Sequence, residues 1–237
     1  QYGYIAERIC GICSCGHGLG YWRAVENVRG IDVPERAQYL RVIWVEMSRI
    51  HSHLLWLGLL ADALGFESLF MESWRVREKI LDMFDETTGG RIIHSVNQVG
   101  GVQKDMDSSM LKHLLETIKD IERDIKPLVD TFLKDYTVQS RLKGTGILKK
   151  DDAILLGAVG PMLRASGVEY DVRMLGYGAY KNLSMEPVTC TDGDSYGRCV
   201  VRIKELFQSF DLIREAIGRR YPCAGEGKSV RRIFSAD

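Results

Sequence analysis

Residues 32–65 read DVPERAQYLRVIWVEMSRIHSHLLWLGLLADALG, and their periodicity decides the fold class. Leu40, Ile43, Met47, Ile50, Leu54, Leu57, Ala61 and Leu64 recur at three- and four-residue steps, the repeat of one helix face. Asp32 is placed to cap such a helix, Pro34 suits its first turn, and Gly65 suits its end. A helix of that span holds roughly 30 residues and is about 45 Å long, more than is usual in a globular protein. Its other face carries Trp44, Val45, Leu55 and Leu59, so burial on more than one side is expected.

The same signal recurs on either side of a different middle. A second helix is predicted from about Phe70 to Thr88, stopping at Gly89-Gly90. A third runs from about Ser108 to Leu133, capped by Asp107, with Leu111, Leu114, Leu115, Ile118, Ile121, Ile125 and Leu128 facing inward. Pro127 lies inside it and predicts a kink or a division. A last helix spans about Ser195 to Arg219, with Val200, Ile203, Leu206, Phe207, Phe210, Ile213 and Ile217 on its apolar side. Residues 137–190 are rich in glycine and predict short helices, turns and a short strand. No repeat, low-complexity tract or linker stands out. Long helices joined by glycine-rich loops predict a mainly α fold, a long-helix bundle with little β, in a single domain over residues 1–237.

Composition narrows the function classes. Lys+Arg and Asp+Glu both number 32, giving a formal net charge of zero. Bulk charge therefore makes no case for nucleic acid or an anionic membrane surface. No apolar run reaches the ~18 residues of a membrane-spanning helix, and Gln1–Arg8 lacks the basic start and apolar core of a signal peptide. The six cysteines are then read as reduced thiols or ligands rather than a disulfide framework. The chain opens on Gln and is read as a fragment of a longer subunit lacking both ends.

Residues 7–17, ERICGICSCGH, gather three of those cysteines and one of five histidines. On a helix, Cys10, Cys13 and His17 share one face; on a turn, the CxxC spacing alone brings two sulfurs to one metal. A structural zinc site needs four ligands, commonly two CxxC pairs, and no second CxxC exists here. A thioredoxin-like pair follows a strand, and Gln1–Ile9 is too short to show one. A four-cysteine iron–sulfur site lacks its ligands. A catalytic site taking two thiolates here and two from a distant segment has more support. Arg8 would lower the thiol pKa values as a neighbouring cation, His17 would donate a hydrogen bond to a ligand sulfur, and soft thiolates suit nickel, iron or zinc. Cys15 reads as a packing thiol.

R-I-C-G-I-C-x-x-x-H resembles the N-terminal cysteine motif of nickel–iron hydrogenase large subunits. The resemblance continues through 21–33, 34–66, 77–105, 157–173 and 192–202, and there it is to the energy-converting, membrane-associated branch, of the Ech and formate hydrogenlyase kind. That branch is related to the hydrogenase-like subunit at the quinone site of respiratory complex I, whose members lack the metal thiolates. The resemblance implies that Cys10 is a terminal nickel ligand and Cys13 a bridge between nickel and iron, with Glu7 and Arg8 bordering the site and His17 behind the sulfurs. It implies reversible reduction of protons to hydrogen at a nickel–iron centre with carbon monoxide and cyanide ligands. Its implied partners are an iron–sulfur small subunit, membrane ion-translocating subunits and maturation proteins, at the cytoplasmic face of the membrane. The family's second thiolate pair, in a C-terminal DPxxC-type motif, has no counterpart here, so this fragment alone is expected to be metal-free and inactive, and to self-associate through apolar surface. Two alternatives stand beside this: a coupling subunit of a quinone oxidoreductase that has lost hydrogen chemistry, and a structural CxxC metal module.

Three further features carry expectations. PCAGEGKS at 222–229 resembles the end of a phosphate-binding loop, but Pro222 stands where that pattern needs glycine, so a solvated loop is expected. His51 and His53 read first as core histidines with polar partners, and second as a proton route with Glu46 and Asp62. Glu116/Lys119 and Glu122/Lys126 read as exposed helix pairs.

Overall fold

The computed structural model describes residues 1–219; the stretch 222–229, Cys223 and Arg231-Arg232 lie outside the described residues. In chain order the helices are α1 (Tyr2–Glu7), α2 (Ser14–Arg29), α3 (Glu35–Ala63), α4 (Glu67–Thr88), α5 (Ser108–Lys134), α6 (Tyr136–Leu142), α7 (Lys150–Leu155), α8 (Gly160–Ala165) and α9 (Ser195–Gly218), with 3₁₀ turns at Val172–Leu175 and Gly178–Asn182. Between α4 and α5 a minimal antiparallel hairpin pairs β1 (Asn97–Gln98) with β2 (Gly101–Val102), Asn97 opposite Val102. The fold is mainly α, as expected. Among the described residues the expected strand in 137–190 is absent; short helices and turns fill that region.

The four long helices close a ring, α3 against α4 and α9, and α5 against α4 and α9. Leu40, Ile43, Met47, Ile50, Leu54 and Leu57 of α3 are fully buried in the core they enclose. Trp44, on the opposite face, is buried too, its Nε1 donating to Thr87 Oγ1 at 3.2 Å. α3 is thus buried on two sides, while Leu59 remains 49% exposed.

Three boundaries depart from the sequence reading. Asp32 is exposed and caps nothing; Pro34, with φ −54° and ψ 142°, is itself the junction, and the helix begins at Glu35. Proline cannot donate an N–H, so it suits this place. α4 starts at Glu67 rather than Phe70, because Gly65 takes a left-handed φ of 79° and Phe66 N closes back on Ala61 O at 2.8 Å. This is a Schellman-type turn, from which the chain re-enters a helix at once. α5 runs undivided through Pro127. Pro127 and Arg123, whose carbonyl loses its helical donor, are both exposed, so water can meet that carbonyl, while Ile118, Ile121, Ile125, Leu128 and Phe132 keep one buried stripe. Asp107 does cap α5, its Oδ1 accepting from Met110 N at 2.8 Å. Glu122 pairs with Arg214 of α9 rather than with Lys126, and no ion pair joins the exposed Glu116 and Lys119.

Candidate metal centre

The cysteine motif straddles a turn and a helix start. α1 ends at Glu7, Cys10 lies in the turn, and Cys13 is the residue before the first turn of α2. Cys10 Sγ accepts from the amides of Ile12 at 3.3 Å and Cys13 at 3.4 Å, which closes the turn that leads into α2. The ligand atoms of Cys10, Cys13 and His17 all lie within 4.8 Å of one another. The structure therefore brings together the three residues that the motif singled out.

The two thiols are unlike. A hydrogen bond from the Cys13 thiol, aided by the amides of Ile12 and Cys13, pulls the Cys10 pKa down. Burial of the Cys13 sulfur, then the adjoining Cys10, pushes Cys13 up to about 11. The pair is therefore asymmetric, Cys10 the more acidic thiol and Cys13 the less. Arg8, expected to supply this lowering, does not: it is exposed, and its Nη1 donates to Tyr4 O at 2.8 Å. No hydrogen bond joins His17 to either sulfur in this geometry, though it stands within reach of both.

Glu7, the last residue of α1, packs against α2 at Gly18. It is 1% exposed, and its Oε2 accepts from Ser95 N at 2.6 Å. Burial raises its pKa, against the Ser95 hydrogen bond and the Arg8 charge. Ser95 has φ 47°, a conformation uncommon outside glycine, and the Glu7 carboxylate anchors it. Ser14 Oγ donates to Ile92 O at 2.7 Å. Through these two bonds the loop after α4 is tied to the cysteine turn. Cys15 is fully buried, and burial, then Glu7, pushes its thiol up to about 12; the packing reading fits it. Asn97 Nδ2 lies 3.5 Å from Cys15 O. α2 is locked to α3 by the buried pair Arg41–Glu26 at 2.6 Å, and Glu26 also accepts from Gly100 N in the hairpin.

Behind this region lies a set of buried charges that sequence reasoning touched only at Glu46 and His53. Arg173 meets Asp171 at 2.9 Å and Glu46 at 3.3 Å. Arg164 meets Asp171 at 3.1 Å and Glu205 at 2.6 Å. His53 Nε2 lies 2.7 Å from Glu205, and Arg49 reaches both Glu46 and Glu205. Burial opposes ionisation, but the partners win: with His53 and Arg164 beside it Glu205 falls to about 2, and with Arg173 beside it Asp171 falls to about 2. Burial keeps His53 below its ordinary value against the pull of Glu205. His51 is elsewhere, its Nδ1 accepting from Arg77 Nε at 3.1 Å. Asp62 is exposed and joins neither group. The four-residue proton route drawn from the sequence is therefore not one constellation.

The donor set fits half of a thiolate-bridged bimetallic group: two soft sulfurs and an imidazole converge on one point. Of the other described cysteines, Cys190 donates to Asp192 at 3.1 Å and Cys199 is buried in α9. Neither joins the cluster.

The family described as the 49 Kd subunit of respiratory-chain NADH dehydrogenase matches residues 63–231. The chain belongs to this family. Residues 1–66, which hold the cysteine pair, match the family described as nickel-dependent hydrogenase. The chain is 41% identical over 225 residues to the alpha subunit of the membrane-bound hydrogenase of Pyrococcus furiosus, covering 92% of this chain and 53% of that one. It is 40% identical over 200 residues to a subunit of the NADH-quinone oxidoreductase of Protochlamydia amoebophila, covering 84% and 50%. It is 37% identical over 214 residues to formate hydrogenlyase subunit 5 of Escherichia coli, covering 89% and 37%. The chain spans about half the length of the first two relatives. These relatives are subunits of hydrogenase and quinone oxidoreductase complexes, and among the described residues no helix is long and apolar enough to cross a membrane.

Proposed function

We propose that this chain is the part of an energy-converting nickel–iron hydrogenase large subunit that supplies the first pair of metal thiolates. The observation that carries the reading is the convergence of Cys10, Cys13 and His17 at the start of α2, in a chain 41% identical to a membrane-bound hydrogenase subunit. Cys10 and Cys13 would hold the nickel–iron centre, with its carbon monoxide and cyanide ligands, together with a second pair from elsewhere in the whole subunit. When bound, that centre supplies reversible reduction of protons to hydrogen. The chain's own residues do the rest. The amides of Ile12 and Cys13 donate to Cys10 Sγ and make it the more acidic thiol, and Glu7, buried beneath the start of α2, anchors the loop at Ser95 through its Oε2. His17 would stand beside the two sulfurs, within 4.8 Å of them. An iron–sulfur partner would deliver electrons, membrane subunits would couple the reaction to ion movement, and residues 1–237 would form one helical domain of the whole at the inner membrane face.

Metal analysis of the whole complex, with and without Cys10→Ser and Cys13→Ser, tests the reading. One nickel per complex is expected, lost in either variant while circular dichroism is unchanged. A complex without nickel supports a second reading, a quinone oxidoreductase coupling subunit, which the match of residues 63–231 and the NADH-quinone oxidoreductase relative favour.

A further inference from the structure

Cys10 and Cys13 are held together by the chain itself. The amides of Ile12 and Cys13, at 3.3 and 3.4 Å, fix Cys10 Sγ against the residue that bears the second thiol. The Cys13 thiol in turn hydrogen-bonds the Cys10 sulfur. The turn that carries them is open: Ile9, Gly11, Ile12 and Cys13 are exposed, and Cys10 is half-buried. Two surface thiols in contact are the reactants of a disulfide.

The rest of the fold leaves each of them one partner. Cys15, though nearer in sequence to Cys13, is fully buried, with Asn97 Nδ2 3.7 Å from its sulfur. Cys190 and Cys199 lie outside the cluster. Among the described residues the only thiol within reach of Cys10 is therefore that of Cys13. Sulfurs already in hydrogen-bond contact need only side-chain rotation to reach bonding distance. A chain without a secretory signal seldom keeps a structural disulfide, and the bonds that do form there are transient and respond to redox state.

We propose that, before metal is bound, Cys10 and Cys13 form a reversible disulfide by exchange with a small-molecule disulfide, and that this bond withholds the site from metal until it is reduced. One protein thiolate attacks a sulfur of the small disulfide and expels the first small thiol; the other attacks the sulfur so capped and expels the second. The two cysteines give up two protons and two electrons, and the small disulfide takes up both as two thiols. A disulfide sulfur has no thiolate to offer a metal, so oxidation and ligation exclude one another at this pair. The bond rests on the geometry of the turn alone. Its consequence for loading rests on the reading of Cys10 and Cys13 as metal ligands.

Oxidised glutathione is the probe, applied to the whole complex isolated from cells grown without nickel. Trypsin, cutting after Arg8 and Arg23, releases residues 9–23 as one peptide that holds Cys10, Cys13 and Cys15. Mass spectrometry should find a Cys10–Cys13 bond in it, with Cys15 alone labelled by iodoacetamide after unfolding, and dithiothreitol should restore the other two thiols. Cys10→Ser should instead trap glutathione on Cys13, because no second thiol is at hand to expel it. Free thiols at both positions, a lasting glutathione adduct on the unmutated pair, or a bond from either to Cys15 overturns the proposal, whatever the nickel content. Nickel(II) added to the same complex tests the withholding: nickel retained through gel filtration should be lost on oxidation and regained on reduction, and equal retention in both states overturns it. A complex that retains no nickel even when reduced defeats the metal reading, and the withholding with it, and leaves the bond to be judged by the peptide.

Discussion

Three glycines on one helix should respond to alanine with opposite signs. Gly18→Ala places a Cβ 2.4 Å from Glu7 Oε1 and 2.7 Å from its Cγ. Glu7 is flexible in principle, but here it is 1% exposed and its other oxygen holds Ser95 N. Moving it away breaks a charge-assisted hydrogen bond, at about 1.5–3 kcal/mol, and forces overpacking, at about 1–3 kcal/mol. Alanine returns about 1 kcal/mol of helix propensity. The net is a destabilisation of about 1.5–5 kcal/mol, reached through the loop that Ser95 anchors against the cysteine turn. Gly16→Ala and Gly20→Ala meet nothing within 4 Å and should each stabilise by up to about 1 kcal/mol. Urea unfolding followed by circular dichroism reads all three. In a Glu7→Ala background the clash is gone, so Gly18→Ala should cost at least about 1.5 kcal/mol less there than in the wild type. If Gly18→Ala unfolds at the same or higher urea than the wild type, the packing of Glu7 beneath the cysteine turn is wrong.

Other perturbations test other parts of the argument. His51 has its pKa pushed down to about 3, by burial first and then by Arg77, so the unfolded chain takes up a proton that the folded chain refuses. Stability is then lost as pH falls from about 6.5 toward 3, by about 2 kcal/mol at pH 5; His51→Gln should flatten that part of the pH profile, and an unchanged slope would count against it. Glu205→Leu leaves Arg164 and His53 facing a buried hydrocarbon and should cost about 3–5 kcal/mol, seen as a lower urea midpoint; a loss under about 1 kcal/mol would show that the charges are solvated. Glu205 and Asp171 are held at about 2, so their stabilisation is present above about pH 4.5 and fades as pH falls toward 2, which an acid titration of the wild type and Asp171→Asn would separate. Asp107→Ala should cost about 1 kcal/mol through the lost cap of α5, measurable by thermal melting.

What the sequence could show is what is local. The 3.6-residue period of α3, α5 and α9 is read within a single stretch, and so is the CxxCxxxH spacing, because a turn and the first turns of a helix bring Cys10, Cys13 and His17 together without help from the rest of the chain. Boundaries failed where two local rules competed: Asp32 is a good cap on its own, but Pro34 two residues later settles the junction. Pro127 reads as a break because a sequence does not say which side of a helix faces water. The link from Glu7 to Ser95 spans 88 residues, and the charges that surround Glu205 come from α3 and α8. Such contacts leave only a faint mark, a charge at a position where the helix period demands an apolar residue. Glu46 sits three after Ile43 and four before Ile50, and Glu205 four after Val201, each on the buried face of its helix. Both are fully buried, and a buried carboxylate requires cationic partners. The helix period thus predicts that arginines must converge on Glu46 and Glu205, though not which ones. The choice of Arg49, Arg164 and Arg173 is made by the ring of long helices, which brings α3 and α9 side by side and seats the glycine-rich segment against them.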